Sequence, residues 1–169
     1  MKPEIDKTSY VAKTAVIIGD VVIGKNCGIF PNAVIRGDQN TIEIEDGSNV
    51  QDCCVIHTDK EHKVKIGKNV SIGHGAIVHG AIIEDHCLIG MNVTILNGAK
   101  LGRGTVIGAN ALVKNNMDIP ENSLVIGIPG KIIKQDEKFR EIARLNAETY
   151  QKISREHSEE KHPIYNSTE

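Results

Sequence analysis

The sequence repeats an aliphatic residue every six positions over most of its length. Steps of six residues join Val11, Ile17, Ile23, Ile29 and Ile35, then Ile44, Val50 and Ile56, then Ile66, Ile72 and Val78, and finally Ile83, Ile89, Ile95, Leu101, Ile107, Val113, Ile119 and Val125. A half-buried strand alternates with period two and a helix repeats near 3.6 residues, so neither explains this spacing. Three hexapeptides closing one coil of a parallel β-helix do explain it, with coils roughly 4.8 Å apart. We therefore predict an all-β prism over about residues 11 to 130.

A second set of small or compact residues lies four places after these aliphatic positions, as at Ala33 and Ala76. Gly, Asn and Asp occupy the corners between them, where tight turns tolerate these residues best. Such a narrow interior needs no large rings, in keeping with an aromatic content of 3% and no Trp. Cys27, Cys54 and Cys87 fall on the small positions and no CxxC pair is present, so we predict reduced interior thiols.

Charge and hydropathy exclude several classes of partner. Twenty Lys plus Arg against 22 Asp plus Glu give the 169-residue chain a net charge of -2, which argues against nucleic acid or an anionic membrane as a partner. The opening MKPEIDKTSY is too charged for a secretory signal, and no stretch reaches the length that spans a bilayer. We expect a cytoplasmic protein.

The period changes after IPGKIIK, and apolar residues then recur at helical intervals. The predicted inner face of this helix consists of Phe139, Ile142, Leu145 or Asn146, Thr149 or Tyr150, and Ile153. We expect the helix to pack along the prism. The chain accordingly divides into a β-helix domain, residues 1–134, and a C-terminal amphipathic helix with a polar tail, residues 135–169.

Counting residues around the prism brings two histidines together. His57 and His79 each follow an inward aliphatic residue, and their separation of 22 residues equals one coil plus the four extra residues between Ile56 and Ile66. Both therefore lie on one face, which we name face A; Ile66 begins face B and Ile72 begins face C. His74 belongs to face C, too far around its own prism to join the other two.

His74 can meet this pair if another copy docks its face C against face A. A head-to-tail contact of this kind closes into a ring, and three-fold closure suits a triangular prism. Three converging imidazoles would form a zinc-type site with an open fourth position. A single histidine would more simply be a tolerated surface residue, but three that satisfy one geometric scheme favour a metal site.

The same count places polar residues beside the histidines. Arg36 occupies the outward position of His57 in the coil below, and Asp38 follows it. Gln51 and Asp52 lie on face C, so an Arg36–Asp52 pair could lock the subunit boundary. The remaining histidines, which we expect to be solvated loop or surface residues, are His62, His86, His157 and His162.

The segments RGDQNTIEIEDGSNVQDCCVIH and IGKNVSIGHGAIVHGAIIEDHCLIGM resemble the gamma-class carbonic anhydrases, as do the IGIPGK exit and NAETY in the helix. The resemblance implies a left-handed β-helix, and metal ligation by His57, His79 and the His74 of the adjacent subunit. It assigns interface and active-site positions to Arg36, Asp38, Gln51, Asp52 and Tyr150.

The chemistry that this resemblance implies is a lyase reaction, the reversible hydration of CO2 to bicarbonate by a metal-bound hydroxide at the interface of a homotrimer. Zinc is the default metal, and imidazole ligands also suit Fe2+ and Co2+. Gln51 is a candidate to orient the hydroxide or bicarbonate. Residues 36 to 44 are too few to hold the acidic loop with the glutamate proton shuttle of active family members, so Glu61, His62 or buffer would have to carry the proton.

Two other functions are compatible with the repeat. A hexapeptide-repeat acyltransferase would bind acyl-CoA between prisms and use one histidine as general base, without needing a shared three-histidine cluster. A noncatalytic metal-binding or assembly scaffold would keep the three histidines and the trimer but lack a working proton route. Metal content separates the first alternative from the carbonic anhydrase, and CO2 hydration kinetics separates the second.

Overall fold

A computed structural model describes residues 2–165 as a left-handed parallel β-helix of about 7 turns followed by an α-helix. Its elements are β1 (Glu4–Ile5), β2 (Tyr10–Val11), β3 (Val16–Ile23), β4 (Gly28–Ile29), β5 (Val34–Ile44), β6 (Asn49–Val50), β7 (Val55–His57), β8 (Val64–Ile66), β9 (Ser71–Ile72), β10 (Ile77–His79), β11 (Ile82–Ile83), β12 (Leu88–Ile89), β13 (Thr94–Ile95), β14 (Lys100–Leu101), β15 (Val106–Ile107), β16 (Leu112–Val113), β17 (Asp118–Ile119), β18 (Ser123–Ile126), β19 (Lys131–Gln135) and α1 (Lys138–Ser158). The predicted fold class is confirmed.

The strands stack into the three predicted faces. Face A contains β7, β10, β13 and β16, and face B contains β1, β8, β11, β14 and β17. The long strands β3 and β5 pass from face A to face B and join the two into one sheet. Face C contains β2, β4, β6, β9, β12, β15 and β18, and β19 closes its far end as an antiparallel strand. Backbone hydrogen bonds between successive coils therefore set which side chains align.

The interior is filled by the repeating aliphatic residues, as predicted. Ile35, Ile56 and Val78 follow one another up face A with no exposed surface, and burial of such a side chain contributes about 1.5–3 kcal/mol. Ile42 and Val64 are also buried, on face B of the coils that carry insertions, although the six-residue series did not identify them. The interior is continuous because each inserted segment rejoins the stack in register.

The three predicted interior cysteines, Cys27, Cys54 and Cys87, are buried and free. Burial raises the pKa of the Cys27 thiol to about 11 and that of Cys54 to about 12. Both thiols are therefore protonated at neutral pH, and they pack as small apolar side chains rather than acting as nucleophiles or metal ligands.

One corner of the prism is built from residues with a left-handed backbone. Stacked vertically, this corner consists of Asn26, Gly47, Asn69, His86, Gly104 and Asn122, all with φ between +53° and +74°. Asn and Gly adopt this conformation most readily, which explains their recurrence at the turns. His86 is the one residue of this corner that is neither Asn nor Gly.

Replacing His86 by Asn should stabilise the protein, and more at pH 5 than at pH 8. Burial, followed by the charge of Arg140, lowers the pKa of His86; Arg103 and Arg144 act in the same direction and Asp85 opposes them. The unfolded chain takes up a proton near pH 6.5 while the folded chain resists it, so His86 reduces stability as the pH falls through that range.

The difference in melting temperature between His86→Asn and the unchanged protein, measured at both pH values, checks this expectation. His162→Asn, which changes an exposed histidine near the chain end, is the matched control. A gain that is the same at both pH values would show that only the turn geometry had improved.

Helix α1 packs on face C along several coils, contacting β2, β4, β6, β9, β12 and β15. Its buried residues are Phe139, Ala143, Ala147 and Ser154. The prediction that Ile142 faces the prism is wrong, since it is 47% exposed. Of the alternatives Leu145 and Asn146, Leu145 is 50% exposed and Asn146 is half-buried. Small side chains form the inner face because helix and sheet lie close together: a Cβ on Gly28 would lie 2.1 Å from the Ser154 Oγ.

The division of the chain at residue 134 stays a prediction. Strand β19 ends one residue later, at Gln135, and α1 begins at Lys138. Within residues 2–165, no helix combines the length and the apolar character that crossing a membrane would require.

Candidate metal centre

Arg36, His57 and His79 form a vertical column on face A, one residue per coil. The register of β5, β7 and β10 pairs Arg36 with His57 and His57 with His79. The predicted alignment of the three residues is thus confirmed, as is the four-residue insertion that separates His57 from His79 by more than one regular coil. The Nδ1 of His57 lies 3.0 Å from the Nε2 of His79.

The ring nitrogen of His57 that points away from His79 is Nε2, and an ion pair in the coil below holds it. Its Nε2 lies 3.0 Å from Asp38 Oδ1, and the other oxygen of Asp38 lies 2.5 Å from Arg36 Nη1. The hydrogen bond from Arg36, reinforced by that from His57, holds the pKa of the Asp38 carboxyl below its usual range. An ionised Asp38 only accepts hydrogen bonds, so the Nε2 of His57 carries the proton and Nδ1 keeps its lone pair.

The ring nitrogen of His79 that points away from His57 is Nδ1, and a residue of the coil above holds it. Its Nδ1 contacts Asn97 Oδ1, and Asn97 Nδ2 donates in turn to Asp59 Oδ2. Asp59 lies in the segment inserted between β7 and β8. Neither residue was predicted from the sequence. Val78 pairs with Ile95, so continuing this register places Leu96 above His79 and Asn97 directly after it, which is the signal that could have identified Asn97.

The two imidazoles fit a divalent metal. When the protons are on His57 Nε2 and His79 Nδ1, the lone pairs of His57 Nδ1 and His79 Nε2 face each other across 3.0 Å. That arrangement is unfavourable unless a cation or a proton lies between the two nitrogens. Ligating histidines commonly donate their other ring N–H to a carboxylate or amide oxygen, as both do here.

His74 lies on the other side of the prism. It follows β9 on face C, with its Nδ1 2.7 Å from Asp52 Oδ2 and its Nε2 3.2 Å from the hydroxyl of Tyr150. Within residues 2–165 no three His, Cys, Asp or Glu side chains lie close enough together to hold a metal ion. One chain by itself therefore presents the histidines as a pair on face A and a single residue on face C.

Tyr150 reaches His74 from α1. Its ring packs edge-on against Phe30, with centroids 5.6 Å apart, and burial followed by the charge of Asp52 raises the pKa of its hydroxyl. A neutral Tyr150 can donate to the Nε2 of His74, while Nδ1 of His74 donates to Asp52. The lone pair of His74 therefore lies on Nε2, where it accepts from Tyr150, so a metal bound at this nitrogen would replace the hydrogen bond from Tyr150.

Gln51 is 3% exposed, and its side chain is fixed by neighbours on face C. Its Nε2 donates to Asn49 Oδ1 over 3.0 Å, and Asn49 donates to Ser71 Oγ over 2.9 Å. Sequence reasoning did not find Asn49 or Ser71, although both occupy outward positions of face C. With its amide nitrogen engaged, Gln51 retains Oε1 as an acceptor.

The Arg36–Asp52 pair stays a prediction about an assembly. Within one chain Arg36 is bound to Asp38 on face A and Asp52 to His74 on face C, so the two partners lie on different faces.

Three of the other histidines have local partners, whereas the Nδ1 of His86 is buried without a hydrogen-bond partner among residues 2–165. His62 lies with Nδ1 3.0 Å from Asp59 Oδ1 in the inserted loop. His157 stacks on Tyr10 with ring centroids 5.2 Å apart, so it packs the end of α1 rather than standing free on the surface. His162 is exposed, 3.3 Å from Glu156.

Known proteins share the hexapeptide repeat and the fold of this chain. The chain matches the family models "Bacterial transferase hexapeptide (six repeats)" over residues 80–115 and "Hexapeptide repeat of succinyl-transferase" over residues 63–96. A hexapeptide transferase family protein from Anaplasma phagocytophilum has a similar structure, with a TM-score of 0.87 and 34% identity over 90% of this chain and 91% of that one. The fold and the repeat thus define a hexapeptide-repeat protein.

Curated sequences narrow the relationship further. A "Probable carbonic anhydrase" of Methanocaldococcus jannaschii is 53% identical over 152 residues, 89% of this chain and 95% of the relative. "Gamma carbonic anhydrase 1, mitochondrial" of Arabidopsis thaliana is 36% identical over 94% of this chain, which spans 60% of that protein. The chain belongs to the gamma-class carbonic anhydrase family.

Proposed function

We propose that this protein is a metal-dependent carbonic anhydrase, a lyase that reversibly hydrates CO2 to bicarbonate at the subunit boundaries of a homotrimer. The observation that carries the proposal is the pair of histidines on face A, whose ring nitrogens His57 Nδ1 and His79 Nε2 face each other across 3.0 Å, together with a third histidine, His74, on face C. A boundary between face A of one copy and face C of the next brings the three together.

An apolar stripe on face A supports the docking of a second copy. The outward residues that precede the histidine column align, coil by coil, as Val16, Val34, Val55, Ile77, Thr94 and Leu112. Val16 and Ile77 are 45% and 41% exposed in the single chain. A contiguous exposed apolar surface of this kind is typical of an interface. A head-to-tail contact closes into a ring when the rotation between copies allows it, and three-fold closure suits the triangular cross-section of the prism.

The residues that would hold the metal are His57 and His79 of one copy and His74 of the next. When bound, a divalent metal supplies Lewis acidity that lowers the pKa of a coordinated water to around 7, so that hydroxide is available to attack CO2 at neutral pH. Zinc is our first choice, and Fe2+ and Co2+ suit the same imidazoles.

The protein's own groups position the reactants. Asp38, with Arg36, and Asn97 keep the two face A imidazoles oriented. Gln51 offers Oε1 to orient water or bicarbonate, since Asn49 holds its amide nitrogen. Asp52 orients His74 through Nδ1, and the Tyr150 hydroxyl lies beside the Nε2 that the metal would take. A cytoplasmic location stays a prediction from the sequence.

The proposal is tested by stopped-flow CO2 hydration on anaerobically purified protein loaded separately with zinc, cobalt and iron. We expect about one metal per chain and hydration well above the uncatalysed rate with at least one metal. A metal-replete trimer without hydration at any buffer concentration would instead indicate the scaffold.

The acyltransferase alternative is suggested by the similar structure of the hexapeptide transferase family protein. Turnover of acyl-CoA by metal-free protein, with no bound metal after reconstitution, would favour it over the carbonic anhydrase.

Replacing Arg36 by Ala should weaken trimer assembly and metal retention together. The change leaves Asp38 without its cation at the base of the histidine column, and Asp52 of the neighbour without its predicted partner. We expect metal affinity to fall by about tenfold or more. Analytical ultracentrifugation at decreasing concentration and metal analysis measure both effects. An Arg36→Ala protein that stays trimeric at high dilution with full metal content would show the pair to be dispensable.

A further inference from the structure

We infer that Asn97, itself oriented by Asp59, is a positioning residue that holds the proton of His79 on Nδ1 and so presents the unprotonated Nε2 to the metal position. The inference rests on the proposed metal site. It assigns a purpose to two residues that lie outside the histidine, Arg36 and Asp38 set.

The orientation of the Asn97 amide is decided by Asp59. Backbone N–H groups of Glu61 and His62 donate to Asp59 Oδ1 over 2.9 and 2.7 Å, and Asn97 donates to Oδ2. A carboxylate accepts hydrogen bonds, so the group of Asn97 that faces Asp59 must be its NH2. Its carbonyl oxygen then faces His79.

The protonation of His79 follows from this orientation. An amide oxygen can only accept, so the His79 nitrogen against it, Nδ1, must carry the hydrogen. The neutral ring then has its lone pair on Nε2, the nitrogen that faces His57. Asp59 therefore acts on the candidate metal ligand through two successive hydrogen bonds.

The inserted loop is shaped to make this connection. Asp59 and Asn97 are 38 residues apart, and the four extra residues between β7 and β8 carry Asp59 past the coil of His79. The inserted loop can pass over residue 80 because this residue is glycine. A Cβ on Gly80 would lie 2.7 Å from the Cβ of His62 and 3.0 Å from Asn97 Oδ1.

The next coil supplies a matched control. Asn115 occupies the position above Asn97, because Asn116 N–H donates to the Asn97 carbonyl. Asn115 is exposed, and among residues 2–165 its side chain has no hydrogen bond. Substitution of Asn115 therefore changes the same residue type in the same structural position without touching His79.

The test uses Asn97→Leu, Asn115→Leu and the double exchange Asn97→Asp with Asp59→Asn. The exchange swaps the positions of the carboxylate and the amide but keeps the chain of hydrogen bonds. An amide at position 59 can donate to a carboxylate at position 97, which still accepts from His79 Nδ1. Two quantities are measured: the His79 tautomer in metal-free protein, from 15N chemical shifts, and the zinc dissociation constant, from competition with a chromophoric chelator.

We expect Asn97→Leu to lose the dominant Nδ1–H tautomer and to bind zinc 10- to 100-fold more weakly, about the loss typical for outer partners of metal ligands. The double exchange should restore the tautomer and most of the affinity, and Asn115→Leu should match the unchanged protein. An Asn97→Leu protein that keeps both the tautomer and the affinity overturns the inference. So does a folded double exchange that restores neither.

The tautomer readout is independent of the proposed function. If the unchanged protein bound no zinc while its His79 remained in the Nδ1–H form and lost it in Asn97→Leu, the metal proposal would fail and the positioning role would stand. If zinc bound equally tightly to every variant and Asn97→Leu kept the Nδ1–H tautomer, the positioning role would fail and the metal proposal would stand.

Discussion

Mixing His74→Ala chains with His57→Ala chains should restore metal binding and CO2 hydration that neither variant shows alone. Each proposed site takes His57 and His79 from one chain and His74 from its neighbour, because the histidines lie on different faces of one prism. In a randomly reassembled equal mixture, about a quarter of the boundaries would combine an intact face A with an intact face C. Metal content and hydration rate should approach that fraction of the unchanged protein.

A second mixture is the control for this experiment. His57→Ala and His79→Ala both damage face A, so no boundary formed from them contains the complete set, and we expect no recovery. Native mass spectrometry confirms that chains have exchanged. Recovery in the control, or none in the first mixture after exchange, would be incompatible with a site shared between subunits.

Adding a small buffer such as imidazole should raise the steady-state hydration rate by about tenfold or more and then saturate. The water at the site must lose a proton in every cycle, and β5 runs as a continuous strand from Val34 to Ile44, with no acidic loop over the column. Export of the proton is therefore expected to limit turnover. Stopped-flow rates at fixed pH and ionic strength, across a series of buffer concentrations, measure the effect.

Two controls locate the limiting step. Isotope exchange between CO2 and bicarbonate at chemical equilibrium should be insensitive to buffer, because it does not require the proton to leave the site. Glu61→Gln and His62→Gln should reduce the rate at low buffer if the inserted loop carries the proton, and added imidazole should compensate. A rate that is fast without buffer and unchanged by it would contradict proton-limited turnover.

Much of the candidate site could be predicted by counting residues. Stacked coils must pair whole residues through backbone hydrogen bonds, so a six-residue period with known insertions places Arg36, His57 and His79 in one column and His74 on another face. Side-chain direction follows the same count, since residues beside an inward position point outward. These parts of the structure depend on the backbone repeat alone.

Which residues of α1 face the prism depended on packing that the six-residue repeat does not encode. Periodicity alone suggested Ile142, and Leu145 or Asn146, as inner residues. Ile142 and Leu145 are exposed, because the close approach to face C selected the smaller Ala143 and Ala147. The contact of Tyr150 with His74, implied only by the family resemblance, likewise depends on how the helix is seated.

The spacing in the sequence determined the prism, its three faces and the register of the histidines, because stacked coils of short repeating units pair their backbones residue by residue. Only the tertiary structure decided that Asp59 reaches Asn97 and that Asn97 in turn sets His79. The path of an inserted loop is not periodic. It is decided by the space above Gly80 and by hydrogen bonds between residues far apart in the chain.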